Sequence, residues 1–128
     1  MNKLPLIARI LLGLCFFVFG LNGFLNFIPP PPTMPEKLTA FTTGLMSTGY
    51  FFPFLKGTET LCGLLLLANA FVPLALVVLA PIIINIALVH TILDTSGLPI
   101  AVVIVVLEAY LAFFSPYSPK IKALFRKN

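Results

Sequence analysis

The sequence predicts an all-α integral membrane protein, with four transmembrane helices in one bundle, a short outer interfacial helix and a basic C-terminal interfacial segment. The 128-residue chain is 59% hydrophobic and only 9% charged, and its mean hydropathy is +1.09. A soluble domain carries about 25% charged residues, so this composition argues against one. The length fits a single domain over residues 1–128.

The first predicted span covers about residues 4–28. Ile10–Ile28 contains no charged side chain, and its 19 residues suffice to cross the membrane, because a hydrocarbon core is about 30 Å thick and a helix rises about 1.5 Å per residue. Lys3 and Arg9 ahead of an apolar run also fit a signal peptide. The apolar core is long, however, and no clear small-x-small cleavage site follows it, which favours a retained span.

A short amphipathic helix is predicted after the proline run at residues 29–32. Met34, Leu38, Phe41 and Leu45 fall on one apolar stripe of this segment. The segment is too short and too polar to cross a membrane. It is expected to lie at the outer membrane surface or to tuck into the mouth of the bundle.

Three further spans are predicted at about residues 50–70, 72–93 and 98–114. A tight turn at residues 69–73 makes the second and third spans an antiparallel hairpin, and Pro81 is expected to kink the third. The Val- and Ile-rich run at 101–107 would suit a strand in water. In lipid a lone strand leaves its backbone groups unpaired, so a helix is favoured.

Lysine and arginine residues set the predicted orientation, because they are enriched in cytoplasmic loops. One face of the bundle carries Lys3, Arg9 and the tail residues Lys120, Lys122, Arg126 and Lys127, whereas the other carries only Lys37. Both termini are therefore predicted to be cytoplasmic. The tail is expected to form an interfacial helix with Ile121, Leu124 and Phe125 toward lipid. Nothing in its pattern suggests nucleic-acid binding.

Five polar side chains fall at matching depths in the outer half of this predicted bundle: Asn22, Lys56, Glu59, Asn85 and His90. Lys56 and Glu59 share one face of the second span, three residues apart. Polar groups are disfavoured against lipid, so the pattern predicts an outward-facing polar pocket that binds a ligand. Alternatively, the charges only neutralise each other and the asparagines hydrogen-bond between helices. Both interpretations stay open.

In the inner half, Arg9 and Glu108 are expected to form a structural ion pair, with Arg9 snorkelling to the headgroups as the alternative. Cys15 and Cys62 lie at similar depths, and they are interpreted as small buried hydrophobes, although depth alone does not exclude a disulfide. One histidine without a thiolate pair argues against a metal site.

The order of several motifs resembles the DoxX family of small four-helix membrane proteins over about residues 9–111. These motifs are Arg9-x-Leu-Leu-Gly13, Gly20-Leu-Asn22-Gly23-Phe24, Lys56-x-x-Glu59 and Ala80-Pro81-x-x-x-Asn85-x-x-x-x-His90. The resemblance implies a bacterial cytoplasmic (inner) membrane protein. Some relatives look like subunits of a thiosulfate-to-quinone oxidoreductase, and others are associated with oxidative-stress defence.

Two functions follow from the residues and the resemblance together. In the first, the protein is a redox-linked subunit whose outer pocket binds a quinone or another small hydrophobic molecule. In the second, it is a non-catalytic assembly or chaperone-like subunit whose polar cluster is structural. Besides the lipid bilayer, either function favours a partner, which is another membrane protein or a second copy of the chain.

Overall fold

The computed structural model describes residues 3–25, 35–93 and 95–124, and every regular element in these ranges is helical. This confirms the predicted helical class for the part of the chain described. The elements are α1 (Leu4–Leu25), α2 (Glu36–Ser47), α3 (Phe51–Leu67), α4 (Val72–Leu88), a π-helical turn (Val89–Leu93), a 3-10 turn (Thr95–Gly97), α5 (Leu98–Phe113) and α6 (Ser118–Ala123).

Four helices pack as a ring in which α1 and α4 each contact both α3 and α5. Helices α1 and α4 therefore lie diagonally opposite each other, as do α3 and α5. The largest fully buried side chains of the core are Leu12, Phe16, Leu66, Leu76, Leu79 and Leu111. The Val- and Ile-rich run at 101–107 is part of α5, as the argument from unpaired backbone groups predicted.

The helices differ in length. Helix α1 and the continuous segment Val72–Leu93 have 22 residues each and are apolar enough to cross a membrane. Helices α3 and α5 have 17 and 16 residues, fewer than the roughly 20 that a span usually needs. Helix α3 is shorter than predicted because the chain turns directly after it, where Asn69 and Phe71 adopt left-handed backbone conformations.

Glycines allow the closest helix contact, between α1 and α3. A Cβ atom at Gly63 would lie 2.4 Å from the backbone nitrogen of Phe17 and 2.8 Å from the carbonyl oxygen of Gly13. Helix α1 therefore packs on the Gly63 face of α3. Gly57 plays no such part, since the nearest atom to its Cβ position is Phe24 Cζ at 4.0 Å.

The two short helices occupy opposite ends of the ring. Helix α2 contacts α3 and the π-helical turn, which corresponds to the predicted position in the mouth of the bundle. Helix α6 packs across the ends of α4 and α5, so Ile121 is buried in the core rather than facing lipid as predicted. Leu124 is exposed, whereas Phe125, Arg126 and Lys127 lie outside the described residues.

Candidate ligand-binding cavity

One cavity of about 730 Å³ lies between α1, α3, α4 and the start of α5, at the end of the ring that α2 covers. All five polar residues singled out from the sequence line it: Asn22, Lys56, Glu59, Asn85 and His90. Thr42 of α2 also contributes. Most of the remaining wall is apolar and includes five phenylalanines, namely Phe16, Phe19, Phe41, Phe51 and Phe52.

The charged pair lies on the α3 side of the cavity. Lys56 Nζ is 3.6 Å from Glu59 Oε2, and the side chains are 21% and 6% exposed. The ammonium group also lies 5.6 Å from the centroid of the Phe52 ring, within the range of a cation–π interaction. Glu59 and Phe52 thus both stabilise a positive charge on Lys56 where little water reaches it.

The aliphatic part of the Lys56 side chain packs directly against α1 because α1 has a glycine at that position. A Cβ atom at Gly23 would lie 2.3 Å from Lys56 Cγ, so a larger residue would displace the lysine. One turn along the same interface, Gly20 lies against Thr60, whose hydroxyl donates to the Lys56 carbonyl oxygen at 2.7 Å. The glycines of α1 therefore position the charged turn of α3 as well as bringing the helices together.

His90 reaches the cavity from the π-helical turn that extends α4. Such turns are rare and occur frequently at functional sites. The imidazole ring lies against Gly97, where a Cβ atom would be 2.5 Å from His90 Cε1 and 2.7 Å from Nδ1. Gly97 is therefore required for this position of the ring.

The two asparagines come from helices that lie diagonally across the ring. Asn22 is half-buried on α1, and Asn85 is exposed on α4, on the same side of that helix as Pro81 and His90. The polar groups consequently surround the cavity from α1, α3 and the continuous segment Val72–Leu93 instead of clustering on one wall. This arrangement suits a molecule that has polar atoms on more than one side.

The structure corrects the predicted pairing of Arg9 with Glu108, since the described residues contain no ion pair between them. Buried Arg9 instead donates from Nη1 to the carbonyl oxygen of Leu66, and to that of Leu67 at 3.3 Å. These carbonyls belong to the last turn of α3, where the helix dipole favours a cation. The Leu66 carbonyl also accepts from the amide of Asn69 at 3.3 Å, so Arg9 adds to this end of the helix. Glu108 is buried separately on α5.

Among the described residues, the cysteines form no disulfide and the potential metal ligands form no cluster. Cys15 and Cys62 are both free thiols that pack on or within the hydrophobic core. In the ranges described, no group of three His, Cys, Asp or Glu side chains is arranged to hold a metal ion.

Sequence reasoning missed three features of the cavity: the π-helical turn, the contact of Gly97 with His90, and the aromatic wall around Lys56. The stripe containing Phe41 and Leu45 was a usable signal for the α2 side of the wall, because both residues line the cavity. No sequence signal marked the π-helical turn, since Val89–Leu93 continues the hydrophobic segment and contains neither glycine nor proline.

Two helices long and apolar enough to span a membrane, in a chain whose described residues form only helices, indicate the class: an all-helical membrane protein. The model of the DoxX family matches residues 4–91. Because this match covers most of the chain, the protein belongs to the DoxX family. The matched range includes all five polar cavity residues but ends before α5. No curated protein and no solved structure matches the chain.

Proposed function

We propose that the protein is a redox-linked subunit of the bacterial inner membrane that binds a quinone, or a similar small hydrophobic molecule, in this cavity. The observation that carries the proposal is the composition of the wall. Five polar side chains from α1, α3 and the continuous segment Val72–Leu93 meet around about 730 Å³ of otherwise mainly apolar space. Ligand cavities typically measure about 300–1,000 Å³ and combine apolar walls with a few polar groups that orient the ligand.

A quinone has a polar head with a carbonyl oxygen on each side of its ring, and an apolar tail. In the proposed complex Lys56 donates a hydrogen bond to one ligand oxygen, and Glu59 keeps the lysine charged. Asn22 and Asn85, on opposite sides of the cavity, orient the head group. His90, at the outer end of the cavity, exchanges protons with the outside.

The proposed topology has four spans and both termini in the cytoplasm. Lys3, Lys120 and Lys122 are exposed at the end of the ring opposite the cavity, where α6 packs. Basic residues favour the cytoplasmic side, so this distribution supports an outward-facing cavity. The short helices α3 and α5 fit a span because they pack against the longer α1 and α4, and a short span is accommodated by local thinning of the bilayer.

Binding of a short-chain quinone to the purified protein in mild detergent, measured by native mass spectrometry, tests the proposal. We expect Lys56→Met to weaken binding at least about 10-fold, since a hydrogen bond to a charged group is worth about 1.5–3 kcal/mol. Lys122→Met, at an exposed position on α6, is the matched control. Absence of quinone binding by the unmutated protein, or equal binding by a folded Lys56→Met variant, would contradict the proposal.

The second candidate function is a non-catalytic assembly subunit, and one observation favours it. Lys56 and Glu59 lie within a single helix and neutralise each other without any ligand. If the pair is only structural, Lys56→Met and Glu59→Gln each destabilise the protein, whereas the Lys56→Met/Glu59→Leu double variant restores it. The same mass spectra reveal a co-purified protein chain, or a second copy, in place of a small molecule.

A further inference from the structure

Glu108 is a buried acid that the proposed cavity does not use. It lies on α5 with 8% of its surface exposed. Its Oε1 atom has no hydrogen-bond partner in the described parts of the chain. One helical turn before it, Ile104 lines the cavity, so Glu108 lies about 6 Å further along α5, toward the basic end of the ring.

Among the described residues, no cation forms an ion pair with this carboxyl group. Among the elements that pack on α5, α1 carries Arg9, whose Nη1 donates to the end of α3 and whose Nε has no hydrogen-bond partner among the described residues. Helix α4 carries no titratable residue, and the lysines of α6 are exposed. His90 lies at the opposite end of α5. From α3, the thiol of Cys62 is within electrostatic range of Glu108 but brings no positive charge.

An ionised carboxylate in such surroundings is expensive. Burial of an unpaired charge away from water is strongly disfavoured, and in practice the group becomes neutral instead. A neutral carboxylic acid avoids most of this cost, because its oxygens are less disfavoured next to apolar side chains than those of a carboxylate. The geometry therefore favours the acid form at Glu108, in contrast to Glu59, which has Lys56 beside it.

We propose that Glu108 is a proton-binding site: its carboxyl group holds a proton inside the bundle and exchanges it with water of the outer cavity. The layer that separates the two is thin, because Ile104 is the residue one turn away on the same helix and belongs to the cavity wall. The site concerns a proton only, so it does not depend on whether the cavity binds a quinone.

Infrared spectroscopy of the purified protein tests this directly, because a protonated acid and a carboxylate absorb at separate carbonyl frequencies. We expect Glu108→Gln to remove a protonated-acid band and Glu59→Gln, the matched control, to leave it in place. Transfer of the unmutated protein into D₂O is expected to shift that band to lower frequency. Loss of a carboxylate band in Glu108→Gln, or a protonated band unmoved by D₂O, would overturn the proposal.

A second measurement needs no variant and so holds even if Glu108→Gln fails to fold. A hydrophobic carbodiimide adds to protonated carboxyl groups in apolar surroundings, and peptide mapping compares the sites within one sample. We expect Glu108 to be modified at least several-fold faster than Glu59, and the rate to fall as pH rises. Equal or slower modification of Glu108 overturns the proposal. Quinone binding is a separate readout, so either proposal can fail alone.

Discussion

Glu59 and Glu108 are buried to nearly the same extent, 4% and 8% exposed, but in two different halves of one bundle. In the half that contains the cavity, called the outer half after the proposed orientation, Glu59 lines the cavity and has a lysine 3.6 Å away. In the inner half, Glu108 has neither an ion-pair partner nor a hydrogen bond at Oε1. Burial alone therefore does not decide whether a carboxyl group is charged or neutral, because a neighbouring cation stabilises the charged form.

The halves also differ in the space between their helices. Helices α1 and α3 are in close contact in both halves, at Gly13 and Gly63 in the inner half and at Gly20 and Thr60 in the outer half. In the outer half the four helices surround the cavity, and α2 covers its mouth. The α1–α3 contact thus holds the scaffold together along its length, while the outer half keeps space for a ligand.

The largest expected effect is at Gly63. We expect Gly63→Ala to lower the free energy of unfolding by about 3 kcal/mol, because the added Cβ meets backbone atoms of α1 that cannot yield without separating the helices. Thermal unfolding in mild detergent, followed by circular dichroism, measures it. Gly57→Ala is the control, with open space at its Cβ, and a gain of about 0.5–1 kcal/mol is expected there. Equal losses at both positions would contradict this account of the interface.

The comparison of the two glutamates is sharpened by replacing each with glutamine. Glu59→Gln leaves Lys56 unpaired, and we expect a loss of about 2 kcal/mol; this is less than for a fully buried pair, since Lys56 is partly exposed. Glu108→Gln replaces a neutral acid with a neutral amide of the same shape, so a change below about 1 kcal/mol is expected. Chemical unfolding in mixed micelles provides both values. A larger loss of stability for Glu108→Gln than for Glu59→Gln would contradict the neutral form assigned to Glu108.

Arg9 allows a smaller test of the inner half. Removal of its hydrogen bonds to the end of α3 in Arg9→Gln is expected to lower the free energy of unfolding by about 1–2 kcal/mol. Lys3→Gln, at an exposed position near the same end, is expected to change little. The Arg9→Gln/Glu108→Gln double variant should be additive within about 0.5 kcal/mol. A larger coupling energy would indicate that Arg9 and Glu108 form the ion pair predicted from the sequence.

The smallest expected effect on stability is at Gly97. We expect Gly97→Ala to change the free energy of unfolding by less than about 1 kcal/mol, because the side chain it displaces is a ring at the edge of the cavity. Quinone affinity is expected to fall several-fold as His90 moves. Gly44→Ala, where no atom lies within 4 Å of the Cβ position, controls for the added methyl group. Unchanged affinity would remove His90 from the proposed site.

Much of the outer half was predictable because its signals lie in single helices. Lys56 and Glu59 share a face by spacing alone, and Asn85 and His90 follow on one predicted span. Matching depths then brought them together with Asn22, and the structure has all five on one cavity. The inner half was not predictable in the same way. The partner of Arg9 is a pair of carbonyl groups, which every residue possesses, so no side-chain pattern could mark them.

The sequence by itself determined the helical class, the apolar faces and the identity of the polar cavity residues. Hydropathy and periodicity suffice for this, because they describe one helix at a time. Only the tertiary structure decided that Arg9 caps α3, that Glu108 has no ion-pair partner among the described residues, and that α2 covers the cavity. Those outcomes depend on which backbone atoms meet when α1 crosses α3 at its glycines, and this crossing is a property of two helices together.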